Sequence, residues 1–132
     1  MENSNRYLPL LGRVLIGAPF ILSGLGKLAA HDATVGYIGS AGLPLPQVGW
    51  LIAVVMEFFA GLALVIGFYT RPLALLMALY TLATALVAHH FWTMADAARM
   101  ENAINFYKNI SIMGGLVLLS VTGPGKYSID GK

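Results

Sequence analysis

No cysteine occurs anywhere in the 132 residues. That excludes a disulfide framework, thiol redox chemistry, and zinc or iron–sulfur centres held by thiolates. It leaves the compartment open, because a chain without thiols suits either side of a membrane. Charge is nearly as scarce: 11% of the residues are Asp, Glu, Lys or Arg, against about 25% in an average soluble domain. The formal net charge of +2 is slight and scattered, which excludes a nucleic-acid-binding surface. No glycine-rich phosphate loop, dinucleotide fingerprint or hydrolase-type nucleophile–base pair is present. Internal repeats and low-complexity tails are missing as well.

What the chain has in excess is apolar surface. Hydrophobic residues make up 58% of it and the mean hydropathy is +0.74. A soluble domain of this length needs a polar exterior that such a composition cannot supply, so the chain reads as one integral membrane domain. Four segments approach the roughly 20 apolar residues that a helical crossing requires: 8–30, 48–69, 72–92 and 104–122. The first is read as a span and not a cleaved leader, since its apolar run is too long and His31 and Asp32 occupy the region where cleavage would fall. The expected architecture is an all-α, four-helix membrane bundle with short loops and both termini on one side.

The connections refine this. "YTRP" (69–72) makes the second and third helices antiparallel neighbours, with Thr70 as N-cap and Pro72 in the first turn. The Gly- and Pro-rich 31–47 segment reads as a loop that could hold a short interfacial helix, and 93–103 as a polar, helical connection. Gly17, Gly24, Gly61, Gly67, Gly114 and Gly115 are expected to let helices approach closely. Placing both termini in the cytoplasm puts Arg6, Arg71, Lys126 and Lys132 inside, with Arg13 near that face. Lys27, Arg99 and Lys108 fall outside, a small Lys/Arg bias that favours this orientation.

Within "WLIAVVMEFFAGLALVIGF" (50–68) the sole charge is Glu57. Counting from Trp50 as an interfacial anchor, it lies about 10 Å below the outer surface. Lys27 is one turn from the outer end of the first span. His89 and His90 fall in the last turn of the third, and Asn105, Lys108 and Asn109 in the first two turns of the fourth. Polar groups from four helices therefore gather in one half of the membrane, leaving the other half bare apart from Arg13 and Arg71. A carboxylate at this depth costs a few kcal/mol unless it faces the bundle interior and finds partners. Lys27 and Lys108 are the candidate cations, and His89 or an asparagine amide the candidate donor. Paired, Glu57 stays ionised; merely desolvated, it becomes a neutral acid. Plainer roles stand beside these: Lys27 and Lys108 snorkelling to headgroups, the histidines as interfacial residues, and Glu57 as packing glue. His89 and His90 lie about 100° apart on a helix, which counts against a shared metal site. Haem ligation by paired histidines would leave only His31 as the second imidazole.

The series "FILSGLGKL" (20–28), "EFFAGLALVIGFYTRPLAL" (57–75), "HHFW" (89–92), "NFYKNISIMGGLVLL" (105–119) and "GPGKYSID" (123–130) resembles the DoxX family of small bacterial inner-membrane proteins, over nearly the whole chain. The resemblance implies a four-helix membrane protein in which Lys27, Glu57, Arg71, His89, Lys108 and Asn109 match the family's polar positions, while His90 stands where relatives vary. It also implies a link to thiosulfate:quinone oxidoreductase subunits or to membrane defence against oxidative stress.

Three functional classes follow. The first is a subunit of a quinone-linked oxidoreductase, not autonomous, with no intrinsic cofactor. In it Glu57 and His89 relay protons, while Lys27, Lys108, Asn109, Asn105 and His90 hold the head group of a quinone or similar amphiphile. A soluble or membrane redox partner would supply electrons. The second is a transporter or channel component acting as a homo-oligomer, and the third a non-catalytic scaffold.

Overall fold

The computed structural model describes residues 4–131. Helix α1 spans Ser4–Ala29, and at 1.5 Å per residue it is long enough to cross the hydrocarbon. A short helix, α2 (His31–Ser40), follows and buries none of its residues. It fills most of the segment read as a loop. Three more helices complete the bundle: α3 (Pro46–Ile66), α4 (Thr70–Ala88) and α5 (Asp96–Thr122). Helices α1, α3, α4 and α5 are each long and apolar enough to span a membrane.

Two boundaries differ from the sequence reading. Helix α5 starts at Asp96, so the polar segment 96–103 is its first two turns rather than a separate connection. Asn105, Lys108 and Asn109 consequently lie in its third and fourth turns. Helix α4 stops at Ala88, and His89 and His90 lie just beyond it, ahead of a 3₁₀ turn over Phe91–Thr93.

Close packing joins α1 to α3. A Cβ on Gly17 would meet Val65 at 2.5 Å, one on Gly61 would meet Ile21 at 3.1 Å, and one on Gly24 would meet the Phe58 backbone nitrogen at 2.5 Å. Gly114 does not share this role: it is exposed, with open space where its side chain would be, and Gly115 makes only ordinary contact with Ile16. Gly24→Ala is therefore expected to cost about 1–3 kcal/mol through forced separation of the helices, whereas Gly114→Ala stays neutral or gains up to about 1 kcal/mol of helix propensity. Thermal unfolding of both variants in one detergent checks this; equal midpoints would refute it. Helices α4 and α5 pack along each other, with Ala74, Met77, Ala78, Leu116 and Leu119 in a core that Ala60 and Leu64 of α3 complete. The many exposed leucines, among them Leu15, Leu22, Leu79 and Leu118, are the lipid-facing surface.

The tail after α5 closes one end of the bundle. Tyr127 stacks on Tyr7 with ring centroids 5.0 Å apart, so both ends of the described chain lie together; Lys132 lies outside the described residues. The backbone N–H groups of Ile129 and Asp130 donate to the carbonyls of Ile66 and Gly67. Arg13 is fully buried and donates to the carbonyls of Val65, Pro124 and Tyr127. Arg71 donates to the carbonyls of Ser120, Val121 and Thr122 at the end of α5.

The N-terminus of α4 is capped from a distance. Thr70 is not the N-cap: its hydroxyl is buried without a hydrogen-bond partner. The cap is Asp130, whose carboxylate accepts from Tyr69 N at 2.9 Å and Thr70 N at 2.7 Å. These bonds, the one from the Thr70 backbone first, hold the Asp130 carboxyl below the ordinary aspartate range. A depressed folded-state value means that the stabilisation is present above about pH 4 and is lost as pH falls through the folded value. Wild type should accordingly lose thermal stability on acidification below about pH 4 more steeply than Asp130→Asn. Parallel profiles would exclude this cap.

Candidate functional site

The last two turns of α1 carry Ser23, Gly24 and Lys27, with Gly24 and Lys27 on the side that meets α3. Because Gly24 has no side chain, the α3 backbone comes close enough for Lys27 to reach Glu57. The helix itself helps. Over Val55–Phe59, α3 widens into a π turn, with the Ala60 N–H reaching back to the Val55 carbonyl. Such a turn inserts an extra residue and re-aims the side chains around it, a feature frequent at functional sites. Glu57 lies inside this turn and is 5% exposed.

Both carboxylate oxygens of Glu57 are engaged. Lys27 Nζ donates to Oε1 at 2.7 Å and to Ser23 Oγ at 2.9 Å. The Tyr80 hydroxyl, from the middle of α4, donates to Oε2 at 2.5 Å. Among the described residues Glu57 pairs with Lys27 and not with Lys108, which makes no ion pair. Its second donor is Tyr80, and neither His89 nor an asparagine amide reaches it. Lys108, from α5, lines the same cavity as Glu57 without pairing with it.

The triad lies on the wall of a cavity of about 640 Å³ between α1, α2, α3, α4 and α5. Apolar groups dominate the lining, with Phe20, Ile38, Ile52, Val87 and Ile112 among them. Lys27, Glu57, His89, Lys108 and Asn109 all contribute to it, as do Thr34, Tyr37, Thr81 and Thr84. Asn105 and His90 do not line this cavity. His90 turns its Nδ1 back to the Val87 carbonyl at 2.8 Å and packs its ring against Trp92.

His89 is held by α5. Asn102 Nδ2 donates to the Ala98 carbonyl, which leaves Oδ1 to face His89 Nδ1 at 2.9 Å. That contact fixes the orientation of the His89 ring against α5. Asn109 makes a long contact to Thr84 Oγ1, 3.4 Å.

Helix α2 contributes Thr34, Tyr37 and Ile38 to the cavity and is fastened at its start. His31 bridges Asp32 Oδ1 at 2.8 Å and Gln47 Oε1 at 2.9 Å, and its ring stands edge-on to Trp50. The Asp32 bond, and after it the Gln47 bond, raise the His31 pKa. Trp50 in turn donates from Nε1 to the Lys27 carbonyl at 2.8 Å. Trp50 is thus tied to the end of α1 that carries Lys27.

Tyr80 is the residue that the sequence reading missed. Its signal is present: Tyr80, Thr81 and Thr84 are the hydroxyl side chains of an otherwise apolar stretch of α4, and all three line the cavity.

Comparison with known proteins agrees with this architecture. A family model described as DoxX matches residues 8–90, from α1 to His90. Inner membrane protein YphA of Escherichia coli (strain K12) is 47% identical over 121 residues, covering 92% of this chain and 86% of the relative. Inner membrane protein YqjF of the same organism is 40% identical over 123 residues, covering 92% and 88%. A Surfeit locus protein 4 homolog of Schizosaccharomyces pombe is 27% identical over 133 residues, which is 99% of this chain and 39% of that protein. No solved structure matches. With four membrane-spanning helices, inner-membrane relatives aligned along most of their length, and a family match over more than half of its residues, the chain belongs to the DoxX family and is a multi-pass inner-membrane protein.

Proposed function

We propose that this protein is a redox-associated membrane subunit whose cavity receives the head group of a quinone or a similar small amphipathic molecule. One observation carries the reading: a hydrogen-bonded Lys27–Glu57–Tyr80 triad on the wall of a mostly apolar cavity of about 640 Å³. That size suits a small-molecule pocket, for which roughly 300–1,000 Å³ is usual. Quinone carbonyls accept hydrogen bonds, and reduction to the quinol takes two electrons and two protons. Lys27, oriented by Glu57, spends two of its three N–H groups on Ser23 and Glu57 and keeps one to donate to a ligand. The Tyr80 proton holds Glu57 in place, and Glu57 and His89 supply the acid–base groups for proton transfer. The chain lacks cysteine, so the electrons come from a partner protein that carries a redox centre.

The Lys/Arg distribution favours cytoplasmic termini, with the cavity in the periplasmic half. A reporter on the C-terminus tests that orientation, and periplasmic activity would invert it.

The direct test is quinone content after purification from native membranes. Wild type should carry bound quinone well above an unrelated four-span control, and Glu57→Gln about tenfold less, since a hydrogen bond from a charged group is worth about 1.5–3 kcal/mol. Wild-type content at the control level, or an undiminished Glu57→Gln, would defeat the reading. Conduction has less support, because Arg13 and the tail fill the end of the bundle opposite the cavity.

A further inference from the structure

Most polar groups around the cavity are already committed. Lys27 and Tyr80 donate to Glu57. The hydroxyls of Thr34, Thr81 and Thr84 donate to the helix carbonyls of Ala30, Met77 and Thr81. What remains is the Lys108 ammonium, the Asn109 amide with only its long contact to Thr84, the second ring nitrogen of His89 and the Tyr37 hydroxyl. Lys108 forms no ion pair or hydrogen bond with any described residue. The charges lining the cavity are therefore two ammonium groups against one carboxylate, and the Lys27 charge is matched by Glu57 at 2.7 Å.

Next to hydrocarbon, a net charge of this kind is costly unless a counter-charge accompanies it. Lys108 is exposed and lines the cavity, so an incoming ligand can supply that counter-charge. Ile38, Ala41, Leu43 and Ile52 give the lining an apolar stretch, next in sequence to Thr34 and Tyr37. We infer that the cavity selects an amphiphile whose compact head group is an oxyanion of single charge, held by Lys108 with Asn109 as the neighbouring donor, and whose apolar body lies against α2 and α3. This rests on the proposed ligand pocket and specifies its head-group chemistry.

The test uses the full chain in nanodiscs and a matched pair of probes. One is an alkyl-hydroxynaphthoquinone, ionised at neutral pH; the other is its O-methyl ether, neutral and nearly the same size. Binding is followed by calorimetry in phosphatidylcholine discs. Wild type should bind the ionised probe about tenfold more tightly than the ether, the scale of one charge-assisted hydrogen bond. Lys108→Gln should abolish that preference by weakening the ionised probe more than the ether, and Lys108→Arg should retain it. Lys108 is exposed and unbonded, so these variants are expected to fold, as matching thermal midpoints would verify.

Phosphatidylglycerol discs separate two sources of the oxyanion. If the preference vanishes there but persists in phosphatidylcholine, a lipid phosphate competes for Lys108, which supports the assignment with lipid as the source. Persistence in both discs assigns the site to the free amphiphile. Equal affinity of the two probes for wild type, or a preference that survives in Lys108→Gln, overturns the oxyanion inference and leaves the pocket reading intact. Failure of both probes to bind wild type overturns both.

Discussion

Arg13→Met is expected to destabilise the folded protein by about 3–5 kcal/mol, the range for removing one partner from a buried polar network. The guanidinium is wholly enclosed and joins three parts of the chain: its own helix α1, the end of α3 through the Val65 carbonyl, and the tail through Pro124 and Tyr127. Methionine fills much of the same space but donates nothing, so three part-buried carbonyls lose their partner together. Each such loss costs about 1–3 kcal/mol. Arg13→Lys should recover only part of the stability, because an ammonium cannot reproduce the planar fork that serves divergent carbonyls. The absence of cysteine rules out thiol-reactive dyes, so unfolding is followed by the fluorescence of Trp50 and Trp92. A loss under 0.5 kcal/mol (about the size of an ordinary surface change) would show that the tail is held by other contacts.

Arg13 also shows where sequence reading stops. A lone arginine one-third of the way along an apolar helix looks like a residue near the membrane boundary. Nothing local indicates that a tail more than a hundred residues later folds back to supply its acceptors. The same holds for Asp130, whose capping of α4 joins residues that only the tertiary fold brings together. By contrast, the four spans were readable from apolar run length, and the polar half of the bundle from the positions of Lys27, Glu57 and Lys108 within those runs. Depth follows from counting residues at a fixed rise per residue; azimuth does not, because small changes in helix geometry rotate a side chain away from its neighbours. The π turn at Val55–Phe59 is such a change, and no residue pattern in "VMEFF" announces it. Glu57 lies inside that turn, and its partner Lys27 is one turn from the Gly24 contact with Phe58.

The second large effect concerns the Lys27–Glu57 pair. Lys27→Met is expected to cost about 3–5 kcal/mol, because it leaves a carboxylate whose side chain is 7% exposed without its cation. Tyr80 still donates to it, but one hydroxyl does not replace a unit positive charge. Glu57→Leu alone should cost less, since the Lys27 side chain is 29% exposed and its long stem can carry the ammonium toward the headgroups. The double variant Lys27→Met with Glu57→Leu removes both charges and restores an apolar contact between α1 and α3. Its stability should return to within about 1–2 kcal/mol of wild type, as for other buried pairs replaced by apolar residues. A double-mutant cycle on unfolding free energies measures the coupling directly. Strong coupling together with a stable double variant would mean that the bundle does not need the ion pair in order to fold, and quinone binding measured on that same variant then reads the pair's chemical contribution apart from its structural one. Additive single costs would instead mean that the 2.7 Å contact carries little energy, and the triad could not be the feature around which the cavity's chemistry is organised.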